Sequence, residues 1–337
     1  FDLHTLGLEH YYGVKSQDDI PTDVDGKPLG YVDEDVYEAA RCFTGWTVNE
    51  EGAARISGSS SVGTFLYRES WHDRFQKFVL GNRLPADQDI MKDGNDALDI
   101  LSEHPGTARH IATKLIQRLV TDTPSEALVT STAALFLETS SSDDQLKQVV
   151  AHILRSDEFK GTWGGKIKRP FEYVTSALRA LDTTLFIQQN DFDSDEFMWH
   201  YAAAGQLLFQ WPSPDGYPDH YTKWLSTTNL VMAWRVIKYM IGKTAGNDGV
   251  TFYNDVISQT PTSAETPTQL ANFWIDRLLH REPDETYAEN ILGFISLNWE
   301  PDQPIPFREE SVNGNNYKDK LRTMVALILQ SPEFVVK

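Results

Sequence analysis

With 337 residues, 40% of them hydrophobic and 12% aromatic, the chain has material for one large body or two and for a substantial core. A net charge of −19, from 49 acidic against 30 basic residues, argues against a nucleic-acid partner and suits solubility or cation binding. No apolar run is long enough for a membrane span, and a single cysteine excludes both a disulfide framework and a cysteine-rich zinc site.

Phe1 to Gly7 (Phe-Asp-Leu-His-Thr-Leu-Gly) reads as the end of a helix stopped by glycine, so a segment preceding Phe1 is expected. Residues 8–30 hold turn formers and acids. Asp23-Val24-Asp25-Gly26 resembles part of a calcium loop, but the closing glutamate is absent and a solvated turn is the simpler expectation. Asp33-Glu34-Asp35 opens a helix through Val36, Ala39, Ala40 and Phe43 that ends at Gly45, with Cys42 as a buried, inert thiol. Residues 47–71 alternate loosely around a Gly/Ser-rich turn and predict a β-hairpin, the one strand-like piece. Trp71-His72-Asp73 and Lys77 follow in a loop to Gly81, and 86–96 is acidic and turn-like. A short helix then runs from Asp96 toward His104.

The best helix signal is 105–120. Pro105 suits the first position, His104 is then the N-cap, and Ala108, Ile111, Ala112, Leu115, Ile116 and Leu119 form one apolar face. Helices are also predicted over 124–137, 143–159, 170–185, 197–209 and 229–241. Asp191, Asp193 and Asp195 form a second candidate calcium cluster that also reads as a helix N-cap. A rigid Pro/aromatic loop from Trp211 to Pro218 leads to His220 and Trp224, and 242–268 is a mixed linker.

The C-terminal part repeats the central one. Shifted by 159, Ile111, Leu115, Ile116, Arg118, Leu119 and Pro124 fall on Leu270, Trp274, Ile275, Arg277, Leu278 and Pro283. Shifted by 175, Leu146, Val150, Ile153, Leu154, Ser156, Glu158 and Phe159 fall on Leu321, Val325, Ile328, Leu329, Ser331, Glu333 and Phe334. Each copy is a three-helix unit closing in Ser-x-Glu-Phe. His104, His110 and Lys114 become Ser263, Gln269 and Phe273, so these polar groups belong to the first copy alone. The expected fold is mainly α: a multi-helix assembly with a duplicated three-helix unit and one small hairpin. Its parts are a helical N-terminal region with the hairpin (1–100), the first repeat (101–160), a helical middle (161–265) and the second repeat (266–337), gathered into one body.

Several motifs together resemble a large bacterial family called domain of unknown function 1800. They are Leu3 to Gly7, Ala39 to Trp46, His72-Asp73 with Lys77 and Leu80-Gly81, His104 to Ala108 with Lys114-Leu115, and Gly216-Tyr217-Pro218 ahead of Trp224-Leu225. The resemblance implies an exported protein without a settled activity. It also implies a polar N-terminal helix before Phe1, which as a separate chain is one conceivable partner, and a more usual leucine where Cys42 stands.

The polar motif residues admit three readings. His4, His72, Asp73 and His104 make a ligand set for zinc, iron or copper if they converge, with an open position for water or dioxygen. His72 and Asp73 with Lys77 or Lys114 suit metal-free acid–base chemistry, with Arg41, Trp46 and His110 as binding groups. The third reading is a hydrogen-bonded polar core that ties helices together. No nucleophile elbow, phosphate loop or dinucleotide fingerprint is present. Two functions follow: an exported structural or binding scaffold for a partner or surface polymer, and an exported oxidative or hydrolytic metalloenzyme with its site near His104.

Overall fold

Four helices begin on a proline, at Pro105, Pro170, Pro267 and Pro332, where the missing N–H would have had no intrahelical partner. The structure, a computed structural model, describes residues 1–49, 63–185, 202–242, 252–309 and 316–337. Asp191, Asp193 and Asp195 lie outside the described residues, as do the first five residues of the helix expected over 197–209; its described remainder is helical only at Ala202 and then runs in turns, with Gly205 and Phe209 at positive φ. The chain divides into two compact units, Phe1–Gly161 and Thr162–Lys337.

The first unit opens with a turn where a helix end was expected. Gly7 donates its N–H to the Phe1 carbonyl at φ +83°, and a Cβ there would lie within 2.4 Å of both Glu9 and His110 side chains. Helix α1 (Asp33–Cys42) follows, then the expected hairpin of β1 (Trp46–Val48) and β2 (Phe65–Tyr67), paired antiparallel. A second hairpin, β3 (Lys77–Val79) with β4 (Asn82–Leu84), stands where a loop was expected. Its two-residue turn holds Leu80 and Gly81 at φ +48° and +72°, the left-handed pair that a tight hairpin needs. Leucine is an unusual residue there, which hides the turn from a sequence reading. Its N–H is anchored to Asp35 Oδ1 at 2.7 Å and its side chain is buried.

Helix α2 (Lys92–Ser102) starts earlier than expected, and α3 (Pro105–Leu119) matches expectation. Helices α4 (Glu126–Glu138), α5 (Gln145–Arg155) and α6 (Asp157–Gly161) complete the unit. The single helix predicted over 143–159 is broken by Ser156, whose backbone is extended and whose Oγ accepts the Phe159 N–H. One core gathers Leu6, Tyr31, Cys42, Val79, Leu84 and Leu101; another gathers Ile116, Leu128, Phe136, Val149 and Ile153.

The second unit contains α7 (Pro170–Ala180), α8 (Thr227–Gly242), the short α9 (Val256–Gln259), α10 (Pro267–Leu279), α11 (Glu285–Ile295), α12 (Tyr317–Leu329) and α13 (Pro332–Val335). A two-residue sheet pairs β5 (Thr184–Leu185) with β6 (Phe252–Tyr253). Its core is built on Trp274, Leu270, Ile237, Met240, Leu321 and Ile328. Its two ends are clasped: Ile167 and Val336 form an antiparallel bridge, and the Lys337 N–H donates to the Lys166 carbonyl at 2.8 Å. The fold is mainly helical, with three small two-stranded sheets among the described residues where one hairpin was expected.

Candidate functional site

Helix α1 carries its acids on the side that meets the second hairpin. Asp35 accepts the backbone N–H of Val32 and of Leu80, and Glu38 Oε2 accepts that of Phe78 at 3.0 Å. Burial pushes the Asp35 carboxyl up, against the pull of its two backbone donors. One turn on, Arg41 forks onto Asp73, Nε to Oδ2 at 2.8 Å and Nη2 to Oδ1 at 3.1 Å, and reaches Glu38 with Nη1 at 2.6 Å. This charge-assisted pair holds Asp73 well below the usual carboxylate range, at about 2, and raises the guanidinium in turn.

Beneath it lies a closed triad. The Lys77 ammonium, with none of its side chain exposed, donates to the carbonyls of Asp73 (2.5 Å) and Phe75 (2.8 Å) and to Asp93 Oδ2 (2.6 Å). An ammonium has three protons, and all three are used. Asp93, 2% exposed, also accepts from Gln88 on Oδ1 and faces His72 Nε2 at 3.1 Å. Desolvation works to raise the Asp93 carboxyl, but the donors, Lys77 first, outweigh it and lower it. His72 is 6% exposed, and its Nδ1 lies 2.9 Å from the Thr44 carbonyl. The Thr44 hydroxyl spends its proton on the Arg41 carbonyl at 2.6 Å and accepts the Asp73 N–H at 2.8 Å. Both His72 nitrogens therefore face oxygens inside the cluster, the Thr44 carbonyl on one side and the Asp93 carboxylate on the other.

The structure thus brings His72, Asp73, Lys77 and Arg41 together, and adds Asp93, Gln88, Asp35 and Glu38, none of which the sequence singled out. Trp46 adjoins them as a packing residue. Its ring meets Phe43 and Phe65 edge-on at 5.4 Å and lies so close to Gly94 that a Cβ there would stand 2.6 Å from it. Cys42 donates to the Glu38 carbonyl, and burial pushes its thiol up to about 11, which keeps it inert.

His104 is elsewhere. It is the N-cap of α3: Nδ1 accepts the Gly106 N–H at 2.9 Å, and Nε2 then donates to the Pro28 carbonyl at 2.8 Å. Burial holds its ring below the usual histidine value. His110 lies between Glu9 (3.2 Å) and the Leu3 carbonyl (3.2 Å), while His4 and Lys114 are exposed. The four residues expected to share a transition metal are therefore not gathered at one point: His104 spends both nitrogens on backbone groups. Among the described residues no three His, Cys, Asp or Glu side chains form a group that could hold a metal. Asp23 spends its Oδ1 on the Asp25 and Lys27 N–H groups, the geometry of the solvated turn expected there.

Away from these clusters, α4 and α5 leave an open groove of about 750 Å³, lined among others by Ser125, Ser131, Lys147, His152, Arg155 and Glu158. Ser131 Oγ lies 3.0 Å from His152 Nε2 there. No described helix is long and apolar enough to cross a membrane.

No curated protein and no solved structure matches the chain. One family model does, over residues 1–336, so nearly every position belongs to a single family unit, and the motif residues whose polar atoms are spent inside the first unit are part of it. The chain belongs to the family described as "Protein of unknown function (DUF1800)".

Proposed function

We propose that this chain is an exported binding or scaffolding protein in which the polar motif residues hold the fold together. One observation carries the reading: His72, Lys77 and Asp93 are 6%, 0% and 2% exposed, and their polar atoms are spent on one another, on Gln88 and on backbone carbonyls. A group that works on a substrate must meet it, and these are closed away. The scaffold's partner in this reading is a surface polymer or a second exported protein. The groove between α4 and α5, with hydroxyl, amide and charged side chains along its walls, supports such a role. The reading includes a duplication. Ser125 and Asp284, each just after a proline, cap α4 and α11, and Ser156 and Ser331 each accept a phenylalanine N–H in the short closing helix. Glu158 reaches Ser125, and Glu333 reaches Arg281.

The metalloenzyme alternative draws no support from the histidine geometry. Both are tested by the same variants. Lys77→Met leaves the Asp93 carboxylate buried without its ammonium and is expected to cost about 3–5 kcal/mol in urea unfolding. His72→Ala and His104→Ala are expected to lower stability without changing metal content by elemental analysis. Stoichiometric metal that both histidine variants lose while staying folded would overturn the scaffold reading.

A further inference from the structure

Lys168 stands just inside the second unit, ahead of α7. Its Nζ donates to the Phe334 carbonyl at 2.6 Å and lies 3.7 Å from the centroid of the Phe334 ring. An ammonium carries three protons, so beside this hydrogen bond and the ring face it has room for a further acceptor. The carboxylate whose charge acts on it, Glu172, makes no hydrogen bond to it. Glu172 is held by Lys337 Nζ at 2.8 Å on both oxygens and accepts the Arg169 N–H. Burial first, and repulsion from Lys337 second, hold the Lys168 amine down to about 8, with only Glu172 pulling the other way.

The same side chain lines a slot walled by Pro170, Tyr173, Trp224, Asn229, Leu230 and Ala233. The polar atoms of its aromatic walls are already spent. The Tyr173 hydroxyl donates to the Leu329 carbonyl at 2.8 Å, and the Trp224 indole N–H to that of Pro218 at 2.9 Å. What remains is a largely apolar space of about 40 Å³ with the Lys168 amine and the Asn229 carboxamide on its wall. At 10–15 Å³ for a water-sized group, it holds roughly three carbon-sized groups.

We propose that this slot binds a small carboxylic acid with a short apolar tail, the tail filling the slot and the carboxylate pairing with the Lys168 ammonium. The opposite charge answers the ammonium, the walls answer the tail, and the volume limits it to about three or four carbons. The site is independent of the scaffold reading, since it shares no residue with the buried cluster of the first unit.

The test uses the full chain and n-butyrate, followed by NMR titration, with butyramide as the uncharged isostere. Butyrate should bind saturably and butyramide at least roughly tenfold more weakly. Lys168→Met, which keeps the length and removes the charge, and Ala233→Phe, which fills the slot and keeps the lysine, should each weaken butyrate at least roughly tenfold at unchanged thermal stability. Binding should also fade as pH rises through about 8, where the amine loses its proton. Should Ala233→Phe fail to fold, the Lys168→Met and pH arms decide alone. Absence of saturable butyrate binding, equal affinity for butyramide, or binding unchanged in Lys168→Met would overturn the proposal.

Discussion

His104 shows what one residue can be made to do by its neighbours. As an N-cap whose Nδ1 accepts a backbone N–H, the ring must stay neutral at that nitrogen, and burial enforces this. Its folded value lies below the ordinary 6.5, so as pH falls through that value the unfolded chain takes up a proton that the folded chain refuses. Stability is therefore lost on acidification below about pH 7, and His104→Asn should flatten that part of the curve while keeping the cap. Denaturant midpoints measured across the range check it, and parallel curves for the two proteins would refute it. The cap itself was readable from His-Pro ahead of an apolar stripe, because capping is a local interaction. Asp93 was not. It sits in a run of acids in which nothing distinguishes the buried one, and the partners that bury it are five to twenty-one residues away in sequence.

At the scale of elements, long periodic helices were read with their type and order, since a 3.6-residue stripe survives any tertiary context. The second hairpin was missed for a physical reason. Its strands are three residues each, its turn uses leucine where glycine or asparagine is usual, and its register is held from outside by Asp35 and Glu38 of α1. The contact that locks α2 against the first hairpin was equally hidden, because it depends on a hydrogen in place of a side chain. Gly94 lies against the Trp46 indole, and a methyl group there meets a ring, not a flexible chain end. Gly94→Ala is expected to destabilise by about 1–3 kcal/mol through overpacking, despite alanine's better helix propensity. Urea unfolding of the variant measures this, and a gain of about 1 kcal/mol would show that propensity wins.

For the whole molecule, the two units each own their cores, and a large defect in one is expected to stay there. Trp274 is wholly buried in the second unit, with its indole N–H on the Thr260 hydroxyl. Trp274→Ala should cost about 3–5 kcal/mol. Hydrogen exchange should then show amide protection falling across Thr162–Lys337 and holding across Phe1–Gly161. Equal loss in both units would mean a single cooperative body. The sequence reading divided the chain at 100–101, 160–161 and 265–266, whereas the two units follow from which residues contact one another. A repeat pattern is read from spacing along the chain, whereas a compact unit depends on which faces are buried against one another.

The clasp at Ile167 and Val336 has a topological consequence. The second unit is entered and left at the same spot, so its path through space is a closed circuit with a removable clip. Such a body can be cut open at another surface loop and rejoined at Lys166–Lys337, or set whole into a loop of a foreign protein, without asking its host to span any distance. Pulled by its two ends, it would yield by peeling one bridge at a time rather than by shearing its core.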